Sequence, residues 1–335
     1  MTVRPRVLVV DDSAFARTVI SRMLRASGAI DVIGTAGDGR AALDQIEKLA
    51  PDVVTLDLTM PNVDGLDVLR ALAGRRSPRV IVVSISNVDS ERGVEALALG
   101  AVELITKPSA LASDRLHEIS SALIAAVLAV TQPVPAAVEP APPVVAASGT
   151  QLVVIGTSTG GPQALTRVIS ALPEDLAAPI AIALHIPPGY TAALSARLDR
   201  VSHMHVVEAS SGLELVPGLA VIARGGEHLR IIRRGNGLYA EVSPLPVRPF
   251  TPSVDELLLS AARACGGHTL GVVLTGMGDD GLVGARAIAA AGGSLLTESA
   301  STCVVYGMPR CIDEARIGAV SAPLEQMAHE IVRRI

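Results

Sequence analysis

Short apolar runs alternate with helical patterns on both sides of one proline-rich break, and a chain patterned this way has few folds open to it. A strand that reads as a near-continuous run of Val, Ile and Leu is buried on both faces, which calls for helices above and below a parallel sheet. In the first half the runs are Arg6–Val10, Asp31–Thr35, Val53–Asp57, Arg79–Ser84 and Val102–Thr106. Helical stretches start near Ser13, Gly39, Gly65, Ser90 and Leu111. Five such β–α units fit a flavodoxin-like doubly wound sheet, whose ligands gather at the carboxyl ends of the strands. The break from Thr131 to Thr150 reads TQPVPAAVEPAPPVVAASGT and follows neither the helical nor the strand period, so it is expected to be an extended connector. Beyond it the runs are Leu152–Ile155, Ile180–Leu184, Ala220–Ala223 and Leu270–Leu274, with a more β-like stretch at His228–Val242. The expected division is a domain at 1–129, a linker at 130–150 and a second domain at 151–335, again α/β with a doubly wound, mostly parallel sheet (Rossmann-like).

Composition narrows the function. Three Tyr, two Phe and no Trp leave the cores aliphatic and provide almost no stacking platform for single-stranded nucleic acid. A net charge of −5 argues against a broad phosphate-binding face, so no nucleic-acid partner is expected. No apolar run reaches the ~18 residues of a membrane span, and Met1 to Arg6 lead into the first strand without a signal-peptide core. Cys265, Cys303 and Cys311 are too few and scattered for a disulfide framework or a zinc site. A cytoplasmic protein without membrane insertion is expected.

Strand ends in the first half carry the first chemistry. Asp11 and Asp12 end the first strand, Asp57 the third and Ser84 the fourth, while Thr106-Lys107-Pro108 ends the fifth. A doubly wound sheet brings these ends to one edge. Three carboxylates meeting there repel unless a hard cation neutralises them, and Mg²⁺ suits a few carboxylates plus waters. Asp57 can then act as a nucleophilic carboxylate toward a phosphoryl group, with Lys107 and the Ser84 hydroxyl on its oxygens. Lysine stands at only two positions among 28 basic residues, Lys48 and Lys107, and a compact ammonium suits a small phosphoryl site. The plainer alternative, helix caps at Asp11 and Asp12 and a solvated Lys107, accounts for each residue singly but not for their joint position.

After the break, LVVIGTSTGGPQAL from Leu152 to Leu165 holds a G-x-S-x-G on a strand–turn–helix pattern. Such a turn lifts the Ser158 hydroxyl above the sheet edge, and N–H groups at the helix start can hold an oxyanion. A phosphate-binding glycine loop or a plain tight turn are the competing readings. A serine nucleophile needs a base, and His185 follows the strand Ile180–Leu184 at the same edge; His228 is the second choice, and His203 and His205 read as a polar loop. LGVVLTGMGDDG, from Leu270 to Gly281, offers Asp279 and Asp280 to orient the imidazole, and spacing alone does not separate the two.

VLVVDDS, LDLTMPNVDGLDVL, the strand-end Ser84 and ITKP resemble the receiver domain of two-component response regulators. GTSTGGP, LHIPPGY, LTGMGDDG and CVVYGMPR, in the chain order Ser, His, Asp, resemble the catalytic domain of the chemotaxis protein-glutamate methylesterase (CheB) family, which also carries a receiver in front. The resemblance implies hydrolysis of glutamate γ-methyl esters on chemoreceptors with release of methanol, and in some members deamidation of receptor glutamines. It implies Ser158 as nucleophile, His185 as base and Asp280 as orienter, with Thr159 and Met277 lining the site, Met277 through its backbone N–H to the oxyanion. In the receiver it implies Asp57 as phospho-acceptor, with Asp11, Asp12, Asp57 and the backbone carbonyl of Thr59 on Mg²⁺, and no metal in the catalytic domain. The implied partners are methyl-accepting chemoreceptors as substrate and a chemotaxis histidine kinase as phosphodonor. In this family the unphosphorylated receiver covers the catalytic cleft and Asp57 phosphorylation loosens it. Four positions depart from the family: Leu104 stands for a switch Tyr or Phe, Thr157 for Ala, Thr251 for Arg and Arg224 for Pro. The competing class is a non-enzymatic response regulator whose second half only binds a partner; a compact basic helix-turn-helix is missing from the sequence pattern.

Overall fold

Burial of the apolar runs on both faces organises two parallel sheets. The computed structural model describes residues 4–74, 77–85, 90–107, 119–132 and 149–335, in two compact units within 1–133 and 134–335. Most of the expected linker, residues 133–148, and the helical stretch expected near Leu111 lie outside the described residues.

The first unit holds strands β1 (Arg6–Val10), β2 (Asp31–Ala36), β3 (Val53–Leu56), β4 (Arg79–Ile85) and β5 (Ala101–Lys107), all parallel, in the order β2-β1-β3-β4-β5. Every residue of β3 is buried, as a central parallel strand requires. Helices cover the faces and start where side chains can take their free N–H groups. The Ser13 hydroxyl accepts from Ala16 N–H ahead of Ala14–Ala26, and Asp64 forms a capping box with Asp67 ahead of Gly65–Leu72. The order reverses direction between β1 and β3, and at that switch point a crevice opens beyond the strand ends. Asp11, Asp12 and Asp57 stand there.

In the second unit the large sheet runs β15-β14-β13-β6-β7-β10-β8, again wholly parallel. Its central strands are β6 (Leu152–Thr157), β7 (Ile180–Leu184) and β13 (Thr269–Val273), each fully buried. The flanking strands are β8 (His205–Glu208), β10 (Leu219–Ile222), β14 (Ser294–Glu298) and β15 (Val320–Ala322). The β-like stretch proves to be a hairpin of β11 (His228–Arg234) and β12 (Gly237–Ser243), joined by β9 (Glu214–Leu215) in a small antiparallel sheet. Between the sheets lies the helix Val254–Cys265, whose Leu257, Leu258 and Ala261 share one core with Val154 of the large sheet and with Leu229, Ile231 and Ala240 of the small one. His205, expected in a loop, opens β8 and pairs with Asp199 at 2.8 Å. Here the switch point falls between β6 and β13, so the loops after β6, β7 and β13 meet at one crevice. Among the described residues no helix is long and apolar enough to cross a membrane.

Candidate functional site

Ser158 leaves β6 in a turn held from three sides. Its N–H donates to Thr275 O at 3.0 Å, its carbonyl accepts from Gly161 N–H at 2.7 Å, and the buried Thr157 hydroxyl donates to the same Thr275 carbonyl at 2.8 Å. Gly160 then adopts φ 80°, in the left-handed region, as the residue ahead of the helix Gly161–Ser170. Gly276 has to be glycine for a different reason: a Cβ there would lie 2.8 Å from Ser158 Cβ and 2.4 Å from Met308 Sδ. The loop after β13 therefore closes directly against the serine, and the half-buried Met277 is its next residue. Thr159 is buried, and its carbonyl accepts from the Thr275 hydroxyl at 2.9 Å.

The end of β7 brings His185 alongside. Its N–H donates to Thr157 O at 3.1 Å, its Nδ1 lies 3.2 Å from Ser158 Oγ, and its Nε2 lies 2.8 Å from Asp280 Oδ2. An ionised carboxylate only accepts, so the ring proton sits on Nε2 and the Nδ1 lone pair faces the serine hydroxyl. Asp280 is buried, whereas Asp279 beside it is exposed. The geometry thus separates the two aspartates that spacing left together.

Three further donors converge on Asp280 from the start of the helix Val254–Cys265. The Ser253 hydroxyl donates to Oδ1 at 2.9 Å, Asp255 N–H to Oδ1 at 3.0 Å and Val254 N–H to Oδ2 at 2.7 Å. Burial opposes ionisation of this carboxyl, but the hydrogen bonds from His185 and the helix N–H groups outweigh it and hold the carboxyl below the ordinary carboxylate range. Asp255 returns the arrangement, accepting from Gly281 N–H at 3.0 Å and Gly284 N–H at 2.8 Å at the start of the helix Leu282–Ala290. Each helix start thus receives a carboxylate: Asp280, from the loop ahead of one helix, and Asp255, from the first turn of the other. Burial, with the nearby Asp280 charge adding to it, pushes the Asp255 carboxyl up.

Sequence reasoning passed over Ser253, Asp255, Thr275 and the site-forming part of Phe250. Ser253 and Glu256 at N-cap spacing announce a helix start, which is the one signal for an anion-holding terminus here. The Phe250 ring stacks on His185 with centroids 4.3 Å apart and planes 7° apart. His228, the second-choice base, is fully buried; its Nδ1 accepts from Ser253 N–H at 3.0 Å and its Nε2 bonds Pro246 O at 2.8 Å. It fixes the segment that supports Asp280 and does not reach Ser158. Of the departing positions, Thr251 uses its carbonyl to accept from Gly226 N–H, and Arg224 pairs with Glu208 and Glu227.

The first unit gathers a different set. Lys107 Nζ lies 2.6 Å from Asp11 Oδ2 and 3.0 Å from Asp57 Oδ2, all three side chains buried. Leu58 N–H donates to Asp57 Oδ1 at 2.8 Å and Ser13 N–H to Asp11 Oδ1 at 3.0 Å. Asp12 is exposed, Ser84 buried, and Thr59 lies exposed two residues after Asp57. Oxygens of Asp11, Asp12 and Asp57 all lie within 4.8 Å of one another, so three carboxylates face one ammonium. Burial, opposed by Lys107 and reinforced by Asp57, pushes the Asp11 carboxyl up. The donor set, all hard oxygen with an excess of negative charge, fits a small divalent cation. Leu104 is buried within β5, in register with Val82 of β4.

Comparison with known proteins agrees with both halves. A family model described as CheB methylesterase matches residues 153–331, and one described as response regulator receiver domain matches residues 7–119. A protein-glutamate methylesterase/protein-glutamine glutaminase of Myxococcus xanthus is 53% identical over 98% of both chains. A protein of that name from Bacillus subtilis is 40% identical over 92% of both chains. The solved catalytic domain of the Thermotoga maritima CheB methylesterase is 37% identical and is covered completely by 56% of this chain, with a TM-score of 0.54.

Proposed function

The chain belongs to the CheB methylesterase family, whose members join a receiver domain to a hydrolase, and we propose that Ser158, His185 and Asp280 carry out its hydrolysis of protein-glutamate methyl esters. The observation that carries this reading is the continuous relay of 2.8 Å and 3.2 Å from Asp280 through His185 to Ser158 at a sheet switch point. His185 Nδ1 takes the hydroxyl proton as Ser158 Oγ attacks the glutamyl γ-carbonyl. Asp280, held ionised by the helix start, stabilises the imidazolium that forms. The imidazolium then protonates the departing methoxide, and methanol leaves an acyl-serine. Water, deprotonated by the same imidazole, attacks the acyl carbon; the proton returns to Ser158 and a glutamate carboxylate is released. Thr159 and Met277 line the oxyanion position, Met277 through its N–H. A glutamine substrate follows the same path with ammonia as leaving group.

In the receiver, Asp57 accepts a phosphoryl group through a carboxylate oxygen, while Lys107 and the Ser84 hydroxyl hold phosphoryl oxygens. Asp11, Asp12, Asp57 and the Thr59 carbonyl would hold Mg²⁺, which offsets the charge gathered there. A histidine kinase of a chemotaxis pathway is the phosphodonor, methylated chemoreceptors are the substrate, and the enzyme works in the cytoplasm. The test is methanol and ammonia release from a methylated, glutamine-bearing receptor fragment. Methanol release that disappears in Ser158→Ala supports the reading, and release that persists in that variant overturns it.

A further inference from the structure

Beside the serine site runs a strap of seven exposed residues, 244–250, connecting β12 to the turn that enters the helix Val254–Cys265. Besides its prolines, three large apolar side chains of the strap are open to solvent: Leu245 is 61% exposed, Val247 86% and Phe250 36%. Three exposed groups of this size within six residues are a local concentration of apolar surface. Pro244, Pro246 and Pro249 restrict the backbone, so a partner settling on the strap orders little that is not already ordered. One end of the strap is part of the site, because Phe250 is the residue stacked on His185.

On its other side the strap borders a groove of about 710 Å³ that includes Pro246 and is lined by Arg230, Arg233, Arg248, Arg263, Glu241 and Glu256. Four guanidinium groups face two carboxylates. Glu256 is taken up by Arg230 at 3.1 Å and Arg248 at 2.9 Å, and Glu241 lies 3.5 Å from Arg230. Arg233 rests on neutral acceptors, Ala264 O and Gln151 Oε1, both at 2.7 Å. Arg263 is exposed and makes no ion pair with the described residues. From Glu256 to Arg263 the groove follows one helix for roughly 10 Å at 1.5 Å per residue. The strap therefore joins the arginine-lined groove at Pro246 and Arg248 to the serine site at Phe250.

We propose that strap and groove form the docking surface for an acid-rich, part-apolar segment of the substrate polypeptide. Its apolar side lies on Leu245, Val247 and Phe250, and its free carboxylates reach Arg233 and Arg263. The proposal rests on the reading of Ser158 as a glutamyl esterase: a substrate chosen for its glutamates carries carboxylates near the ester, and every turnover adds one. The apolar contact gives area and the arginines select charge.

Full-length Val247→Asp and Arg263→Glu variants test it, since both positions are exposed and neither belongs to the hydrolytic relay. With a methylated receptor fragment, KM is expected to rise about five- to tenfold in each variant while kcat stays unchanged. Hydrolysis of p-nitrophenyl acetate, which is too small to reach the surface, is expected to stay at the parent rate. An unchanged KM overturns the proposal, as does a parallel fall on both substrates. A rise in the activity of unphosphorylated Val247→Asp also overturns it, because the chain's own receiver would then be the occupant. Fragment binding measured in a Ser158→Ala background separates this surface from the esterase reading. There the same two substitutions are expected to weaken Kd by the same factor, and an unchanged Kd overturns the docking surface whatever the esterase assays give.

Discussion

Asp280 and Asp57 stand at comparable places, each beyond the strand ends at the switch point of a parallel sheet, yet they are satisfied in opposite ways. Asp280 receives four protein donors: His185, the Ser253 hydroxyl and two N–H groups of a helix start. Asp57 receives Leu58 N–H and shares one lysine with Asp11, beside the exposed Asp12. Burial acts on both clusters, but it is outweighed at Asp280 and prevails at Asp11. A carboxylate surrounded by fixed dipoles needs nothing from solution and can stabilise charge on its histidine at once. A cluster with three carboxylates to one ammonium fits a small cation from outside. One sheet thus presents a finished relay, the other a receptor for charge.

The strongest break of this contrast is removal of the serine hydroxyl. Ser158→Ala is expected to lower methanol release by at least three orders of magnitude while leaving phosphorylation of Asp57 at its parent level, as read by phosphate incorporation. Next comes the orienting carboxylate. Asp280→Asn is expected to cost roughly ten-thousandfold in kcat, because an amide that donates toward Nε2 selects the wrong tautomer. Asp279→Asn is expected to stay within about twofold, since an exposed neighbour has little to lose. The reverse ranking in steady-state kinetics would reassign the relay.

Much of this was legible beforehand where chemistry coincided with a strand end. Asp11, Asp57, Lys107, Ser158 and His185 each follow a buried apolar run, and such runs announce themselves without any alignment. Asp279 and Asp280 could not be told apart because the choice is made by a helix start 26 residues upstream in sequence, which only folding brings to the loop. Phe250 and His228 were opaque for the same reason, their partners lying far along the chain. The outer strand Ser294–Glu298 escaped notice because Ser, Thr and Glu interrupt its apolar pattern although all five residues are buried. Val320–Ala322 is too short to show a period.

Smaller effects sharpen the contrast from the receiver side. Asp12→Asn is expected to raise the Mg²⁺ concentration for half-maximal phosphorylation at least tenfold and to leave basal ester hydrolysis unchanged. An unchanged Mg²⁺ requirement would remove Asp12 from the cation set. The smallest effect concerns Glu298, fully buried at the end of β14, whose Oε2 accepts from Thr275 N–H at 2.9 Å while Oε1 has no hydrogen-bond partner among the described residues. Burial pushes its carboxyl above the ordinary value of 4.5. The unfolded chain therefore loses this proton first as pH rises, so Glu298 contributes progressively less stability above pH 4.5 until its folded-state value is passed. Glu298→Gln is expected to flatten that decline, narrowing the Tm difference between pH 4.5 and pH 8 by a few degrees. Parallel Tm curves for parent and variant would show that Glu298 does not hold its proton in the folded state.

The most direct measurement follows methanol from a methylated receptor fragment, with and without a small phosphodonor and Mg²⁺, in the parent protein, Asp57→Ala and Ser158→Ala. The expected result is release that the phosphodonor raises in the parent, that stays at the basal level in Asp57→Ala, and that is absent from Ser158→Ala. Methanol release surviving in Ser158→Ala would contradict the account at its centre.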